Sequence, residues 1–464
     1  MSKAASTGFD ETTKRLTTFA TGLRFEDVPT AVIHHAKRHL LDTLGCAAGG
    51  VDGAPCRIAR DMARGVTGPL KARVLGMAGH TTPEHAAFAN GVMLRYLDFN
   101  DGGGLAHPSD VTGGILAVAE AAGASGKQTL LGLIAAYEAV VAIGAGVPFM
   151  KIGWDQGAQI GLGVAVGAGV ILGFNEGQLG NAISMTITPS LPLRVTRSGE
   201  LAMWKAVATA AAGRSAVFAT YLAAAGMTGP GQPFDGRHGL RDVVSKGDWQ
   251  VDIEPAKNDW QIAKSAIKGY PMANNTHPPT EKIIEMTRGV DLDQIESIRV
   301  RTFDLLHFES GAEPEKWDPH SRETADHSLP YVMAIGMRDG HVTLASFSPE
   351  NVSAANLRPL MKKITVVEDP QFTQARLAGK PHQSELEITM KNGQKKIERT
   401  GLVRGHHLNP MTDEELATKF RGLAEMVSTP ARVDKALASL WAIDAAANVG
   451  TALDPWYALV EPRT

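Results

Sequence analysis

Leu386-Glu387-Ile388-Thr389-Met390-Lys391-Asn392-Gly393-Gln394-Lys395-Lys396-Ile397 alternates apolar and polar residues up to an Asn-Gly pair. Leu386, Ile388 and Met390 fall on one face of a strand, Asn392-Gly393 is a strong hairpin signal, and Ile397 continues the return strand. Upstream, Lys363-Ile364-Thr365-Val366-Val367 reads as another strand. Glu296 to Leu306 and Val342 to Phe347 also alternate with β-branched residues and are expected as strands. Roughly 260 to 404 is therefore an α+β unit.

On either side the period changes. Residues 1 to about 255 read as successive helices, and the character shifts near Pro255. Pro29 opens a run through His34, Lys37 and Leu41, and Thr82-Pro83-Glu84 offers an N-cap followed by proline at the first helical position. Leu130 to Val147 and Lys205 to Ala225 are Ala-rich and apolar all round, as in the depth of a bundle. Beyond 404, Thr412 with Glu415 forms a capping box, and Thr429-Pro430 opens a further helix. The expected fold is mainly α with an inserted α+β domain. A helical-bundle body takes 1–258 and 405–464, and a smaller α+β lid takes 259–404. Clefts between such domains are common ligand sites.

The chain has 464 residues, with 44% apolar and 20% charged. That is globular composition, long enough for two domains. Lys plus Arg is 46 against Asp plus Glu at 49, so no general attraction to nucleic acid or an anionic membrane is expected. The two cysteines, Cys46 and Cys56, form no CxxC pair, which excludes a thiolate zinc site and fits a reducing cytoplasm. The start, Met1 to Thr7, has no signal-peptide core behind it. Gln156 to Asn175 carries no charge but repeats Gly at four-residue spacing, the pattern of a tightly packed buried helix. Gly161-x-Gly163 lacks the rest of a dinucleotide fingerprint, and no P-loop, HExxH or GxSxG occurs. His35 and His39 are one helical turn apart, but Lys37 and Arg38 between them read as a solvated face. No cofactor and no metal is expected.

Four segments carry chemistry. Tyr96-Leu97-Asp98-Phe99-Asn100-Asp101, three glycines and His107-Pro108-Ser109-Asp110 put carboxylates and an imidazole around a pliable loop. Arg194-Val195-Thr196-Arg197 precedes Met203-Trp204-Lys205, where Lys205 fronts an apolar helix and needs an anionic partner or a route to water. Lys268-Gly269-Tyr270-Pro271 with His277 lies where the lid begins. Arg322-Glu323-Thr324-Ala325-Asp326-His327-Ser328-Leu329-Pro330-Tyr331 precedes a helix-like run.

In this order and spacing the four segments resemble the MmgE/PrpD family over nearly the whole chain, most closely its 2-methylcitrate dehydratase-like branch. The Ala325-to-Tyr331 run is the most specific piece. The resemblance implies a homodimer and a cofactor-free site between body and lid, acting on a small polycarboxylate. Family activities include 2-methylcitrate dehydration, cis-aconitate decarboxylation and iminodisuccinate epimerisation. A small-acid-binding protein of the same fold is the non-enzyme alternative. By position, Asp98, His107, Lys205 and Lys268 match residues of the family's site, and Tyr331 matches its lid tyrosine. Asp155 falls where the decarboxylase branch has histidine, which favours the dehydratase side. The family usually has Thr directly after the second carboxylate; here Gly102-Gly103-Gly104 occupies a shortened loop, so a substrate-facing hydroxyl is missing.

Chemically, removing a proton beside a carboxylate builds negative charge that preorganised cations stabilise. Lys205 and Lys268 are the expected cations, with Arg194 and Arg197 as carboxylate clamps. His107 is the preferred proton-transfer group, because an unperturbed imidazole titrates near neutrality. Asp98 orients it or acts as base itself. Tyr331 or His327 donates to the leaving oxygen. Asp101, Ser109, Asp155 and His277 complete the expected binding residues.

Overall fold

The computed structural model describes residues 8–103, 106–254 and 259–463. The expectations placed on Met1 to Thr7, on Gly104 and on a boundary at 255–258 lie outside the described residues.

The body is built from long helices. Those that position the site are α1 (Thr30–Gly50), α2 (Pro83–Tyr96), α3 (Thr112–Ala121), α4 (Gly126–Gly146), α5 (Gly157–Ile171) and α6 (Trp204–Ala224). Ser125 and Gln128 close a capping box at the start of α4, which satisfies backbone donors that the helix leaves open. The helix α4 is long and apolar enough to cross a membrane, but 67% of its apolar window is buried inside the body. At 15 residues α5 is too short to span a bilayer, and it is buried nearly throughout.

Small residues let α4 and α5 approach closely. A Cβ at Gly163 would stand 2.9 Å from the Ala136 carbonyl oxygen. One at Gly167 would run into the Gly132 carbonyl and lie 2.6 Å from Ile115 Cδ1. Backbone cannot yield as a side chain can, so Gly167→Ala is expected to destabilise the protein by about 1–3 kcal/mol. A urea titration with an unchanged slope and a midpoint equal to that of the parent chain would contradict this packing.

The second unit starts with α7 (His277–Thr287) and contains β1 (Ile295–Thr302), α8 (Asp304–Ser310), α9 (Leu329–Asp339), β2 (Ile364–Glu368), β3 (Glu385–Met390) and β4 (Lys395–Arg399). The strands form one mixed sheet in the order β2-β1-β3-β4, with β1 parallel to β2 and antiparallel to β3. Ile298 pairs with Ile364 on one side and Ile388 on the other, so these buried side chains share a face. Gly393, at φ +85°, turns β3 into β4 as the Asn-Gly pair requires.

Two expected strands are corrected. The strand from Glu296 ends at Thr302, and α8 takes over from Asp304, whose backbone N–H donates to Thr373 Oγ1 at 3.0 Å. Val342 to Phe347 is no strand; Leu344–Phe347 is a short 3-10 helix, because Thr343 and Ser346 form a local capping box.

The chain then returns through α10 (Asp413–Ala424), α11 (Pro430–Trp441) and α12 (Val449–Tyr457). One apolar core joins residues from Leu16 to Ile267 with residues from Leu416 to Val460, and another spans Met272 to Ile388. The helix α10 covers the face of α1 that the sequence reading left to solvent. Arg38 on that face reaches Asp413 and the Met411 carbonyl, and His39 is buried against Tyr137 with its Nε2 3.0 Å from the Ile262 carbonyl.

Candidate active site

At the end of α2 the chain turns sharply. Asp98 sits at φ +50°, a left-handed conformation that Asp tolerates better than most residues. The turn folds its carboxylate back onto Arg95, one helical turn earlier. Asp98 is fully buried. Its Oδ1 also accepts from Lys268 Nζ at 2.9 Å, and its Oδ2 lies 3.7 Å from Lys205 Nζ and 3.3 Å from His327 Nδ1. Lys205 and His327 share a second buried carboxylate, Asp326, with His327 Nδ1 at 2.6 Å.

Five buried charges thus interlock. Burial alone would raise the Asp98 carboxyl, but Arg95, Lys268 and Lys205 together hold it well below the carboxylate range. Burial lowers both lysines, and the facing carboxylates oppose that shift. Lys205 is in the first turn of α6, where the helix dipole also disfavours a cation. A charge kept in so costly a place is a mark of function.

Two imidazoles border this cluster. His107 Nδ1 is 2.5 Å from the Asp101 carbonyl oxygen, which can only accept. Nδ1 therefore carries the hydrogen, and the Nε2 lone pair is the basic position, 3.9 Å from Asp98 Oδ1. Burial, then the charges of Arg95 and Lys268, push His107 well below 6.5, so it is neutral at pH 7. His327 is brought down to about 4 by burial and Lys205.

A cavity of about 220 Å³ opens over these groups, between body and second unit. Its lining includes His107, Asp155, Arg194, Arg197 and His327 among the expected residues. Asp98, Lys205 and Lys268 do not line it: Asp98 sits behind the lining residues Arg95, His107 and His327 with both lysines against it, and Lys205 lines a neighbouring cavity of about 600 Å³ together with Asp155. Asp101 and Ser109 stand behind the loop, joined by Ser109 Oγ donating to Asp101 Oδ1 at 2.6 Å. They shape the loop and do not line the cavity. The two arginines are not free clamps: Arg197 Nε donates to Asp155 Oδ2 at 2.8 Å, and Arg194 Nη2 donates to Glu309 Oε1 at 2.7 Å. Arg197 keeps one buried Nη2 without a partner among the described residues.

Two expected residues lie elsewhere. Tyr331 packs in the core of the second unit and donates its hydroxyl to the Ser346 carbonyl at 2.6 Å. His277 is buried with Nε2 3.2 Å from the Met272 carbonyl, and its ring stands edge-on to Tyr270. Neither lines the cavity.

Sequence reading missed Arg95, although it stands three residues before Asp98 on a helix, the spacing of an ion pair. It quoted Asp326 without assigning it a role. His39 was set aside, yet its Nδ1 is 3.4 Å from Asp101 Oδ2. Lys419 gave no local signal; its ammonium bridges Asp42 and the carbonyls of Phe99 and Lys268 at 2.6–2.8 Å, tying the return helix to the loop.

Among the described residues, Asp98, Asp326 and His327 bring three possible metal-ligand atoms within 4.8 Å of one another. The same carboxylates already face Lys205, Lys268 and Arg95, so side-chain cations occupy the electrostatic place of a divalent ion.

The MmgE/PrpD N-terminal domain model matches residues 14–252, and the MmgE/PrpD C-terminal domain model matches residues 270–443. The chain belongs to the MmgE/PrpD family. Within this family it is 28% identical to the 2-methylcitrate dehydratase of Salmonella typhimurium, over 72% of this chain and 73% of that one. It is 27% identical to the mitochondrial 2-methylcitrate dehydratase of Yarrowia lipolytica, over 77% and 73%. It is also similar to human cis-aconitate decarboxylase, at 24% identity over 89% of this chain and 87% of the relative. In this MmgE/PrpD chain the boundary between the matched domains falls where the two cores separate.

Proposed function

We propose that this chain is a lyase that dehydrates a small hydroxylated polycarboxylate of the 2-methylcitrate type, without metal or organic cofactor. The observation that carries this reading is the neutral His107 beside a buried Arg95-Lys205-Lys268 cation cluster. His107 Nε2 takes the proton from the carbon beside a carboxylate. The electron pair left behind is stabilised by the ammonium groups and then forms the double bond as the C–O bond breaks. The departing hydroxyl takes a proton from an ammonium group of the cluster and leaves as water. The middle unit acts as an inserted lid on a cytoplasmic homodimer.

Decarboxylation is the second reading, favoured by the 89% coverage shared with the human decarboxylase. Both reactions develop charge on the same carbon skeleton. EDTA-treated protein offered 2-methylcitrate in deuterated water is expected to give a new olefinic proton NMR signal. Itaconate formed from cis-aconitate would transfer the assignment to decarboxylation, and no change with any of 2-methylcitrate, citrate and cis-aconitate would refute the polycarboxylate reading.

The pH dependence follows from the cations around His107. The base must be unprotonated, and in the free enzyme its pKa is depressed. The acid limb of kcat/KM is therefore expected below pH 6.5. A bound polyanion raises the imidazole again, so the limb of kcat falls at higher pH than that of kcat/KM. Limbs in the reverse order would contradict the assignment of His107 as base.

A further inference from the structure

Two glycines of the loop before His107 are there for space. Gly102 has ordinary extended pairing: its N–H donates to the Ala266 carbonyl at 2.9 Å, and its carbonyl accepts from Ala266 N–H at 2.8 Å. Its backbone is not in the left-handed region, so conformation does not require glycine. What a side chain would meet is Asn274. A Cβ on Gly102 would stand 3.3 Å from Asn274 Cγ and 3.4 Å from its Oδ1. At Gly103 a Cβ would stand 2.8 Å from Ser265 Oγ. The loop is cut back so that the second unit can lay the Asn274 carboxamide against it.

That carboxamide lines the cavity and is exposed to it. Its neighbour Asn275 is engaged, with Oδ1 3.2 Å from His382 Nδ1. Asn274 has no such side-chain partner among the described residues. Among the other polar groups on the walls, Gln156 accepts the His107 N–H through its Oε1 at 3.1 Å, and Arg194 pairs with Glu309 and Arg197 with Asp155. Of the three carboxamides in the lining, Gln156 and Asn275 have their oxygens engaged, and Asn274 has neither its oxygen nor its nitrogen engaged among the described residues. It offers both an acceptor and a donor whichever way it is turned. Carboxylates, being acceptors only, use the cations; a substrate hydroxyl needs an acceptor as well.

We infer that Asn274 is the specificity residue that reads the hydroxyl of the substrate, in the space that Gly102 leaves. The inference rests on the polycarboxylate reading above. Its test uses two acids with the same three carboxylates, citrate and propane-1,2,3-tricarboxylate, which differ only by that hydroxyl. Affinities are measured by calorimetry on the full chain as wild type, Asn274→Ala, Gly102→Ala and the double variant, each checked by thermal melting.

The wild type is expected to prefer citrate by about tenfold, the worth of one net hydrogen bond. Asn274→Ala brings the two acids within about twofold, through weaker citrate binding and unchanged binding of the deoxy acid. Gly102→Ala, which pushes the carboxamide away, moves the ratio in the same direction. The double variant matches Asn274→Ala, because the two changes remove one contact. A citrate preference that survives in Asn274→Ala overturns the inference and leaves the polycarboxylate reading standing, as does a double variant in which the two losses add. A wild type that binds neither acid overturns the polycarboxylate reading and this inference with it.

Discussion

Replacing His107 by alanine lowers turnover at least about a hundredfold while the protein stays folded. The loss is expected because no other group combines its three properties. Its Nδ1–H is fixed on the Asp101 carbonyl, its Nε2 is unprotonated at neutral pH, and it lies over the cation cluster. The fold survives because the side chain is partly exposed and lies outside both main apolar cores. The checks are steady-state kinetics with 2-methylcitrate and a thermal melt. Near-normal turnover in a folded His107→Ala protein would remove His107 from the chemistry and leave His327 as the remaining imidazole on the cluster.

Lys268→Met is the second large effect, and it acts on stability and activity together. The Lys268 side chain is 0% exposed and donates both to Oδ1 and to the backbone carbonyl of Asp98, each at 2.9 Å. Methionine fills similar volume but leaves a buried carboxylate short of a partner, which typically costs about 3–5 kcal/mol. Arg95 and Lys205 still face Asp98, so the lower end of that range applies. Turnover falls by about a hundredfold or more, since a cation aimed at developing charge is lost. A double variant separates the two effects. Adding Asp98→Asn removes the uncompensated charge and is expected to recover stability but no activity. If Lys268→Met keeps the wild-type urea midpoint, Lys268 does not hold Asp98 as described. If the double variant recovers turnover, the ammonium acts only structurally.

Much of the organisation was legible locally. The Asn392-Gly393 hairpin, the capping box at Thr412 and the glycine-spaced helix α5 all follow from contacts within a few residues. The chemistry-bearing segments were legible for the same reason: Asp98, His107, Lys205 and Lys268 are costly residues in apolar or glycine-rich surroundings. The strand expected at Val342 to Phe347 failed because a Thr343–Ser346 side-chain box outcompeted an alternation that no neighbouring strand completes. His39 was misread because its burial depends on Tyr137 and Ile262, the latter joining it from 223 residues later in the chain.

By itself, the sequence determined which residues could carry charge, turn or cap, because those properties belong to single side chains and their nearest neighbours. The tertiary structure alone decided which of them meet. Asp98, Lys205, Lys268 and Asp326 are drawn from four distant segments, and their charge states exist only because burial makes each one the others' solvent. Packing likewise took Tyr331 and His277 out of the cavity and brought Asn274 into it, since a hydroxyl or imidazole satisfied in a core is no longer free for a ligand.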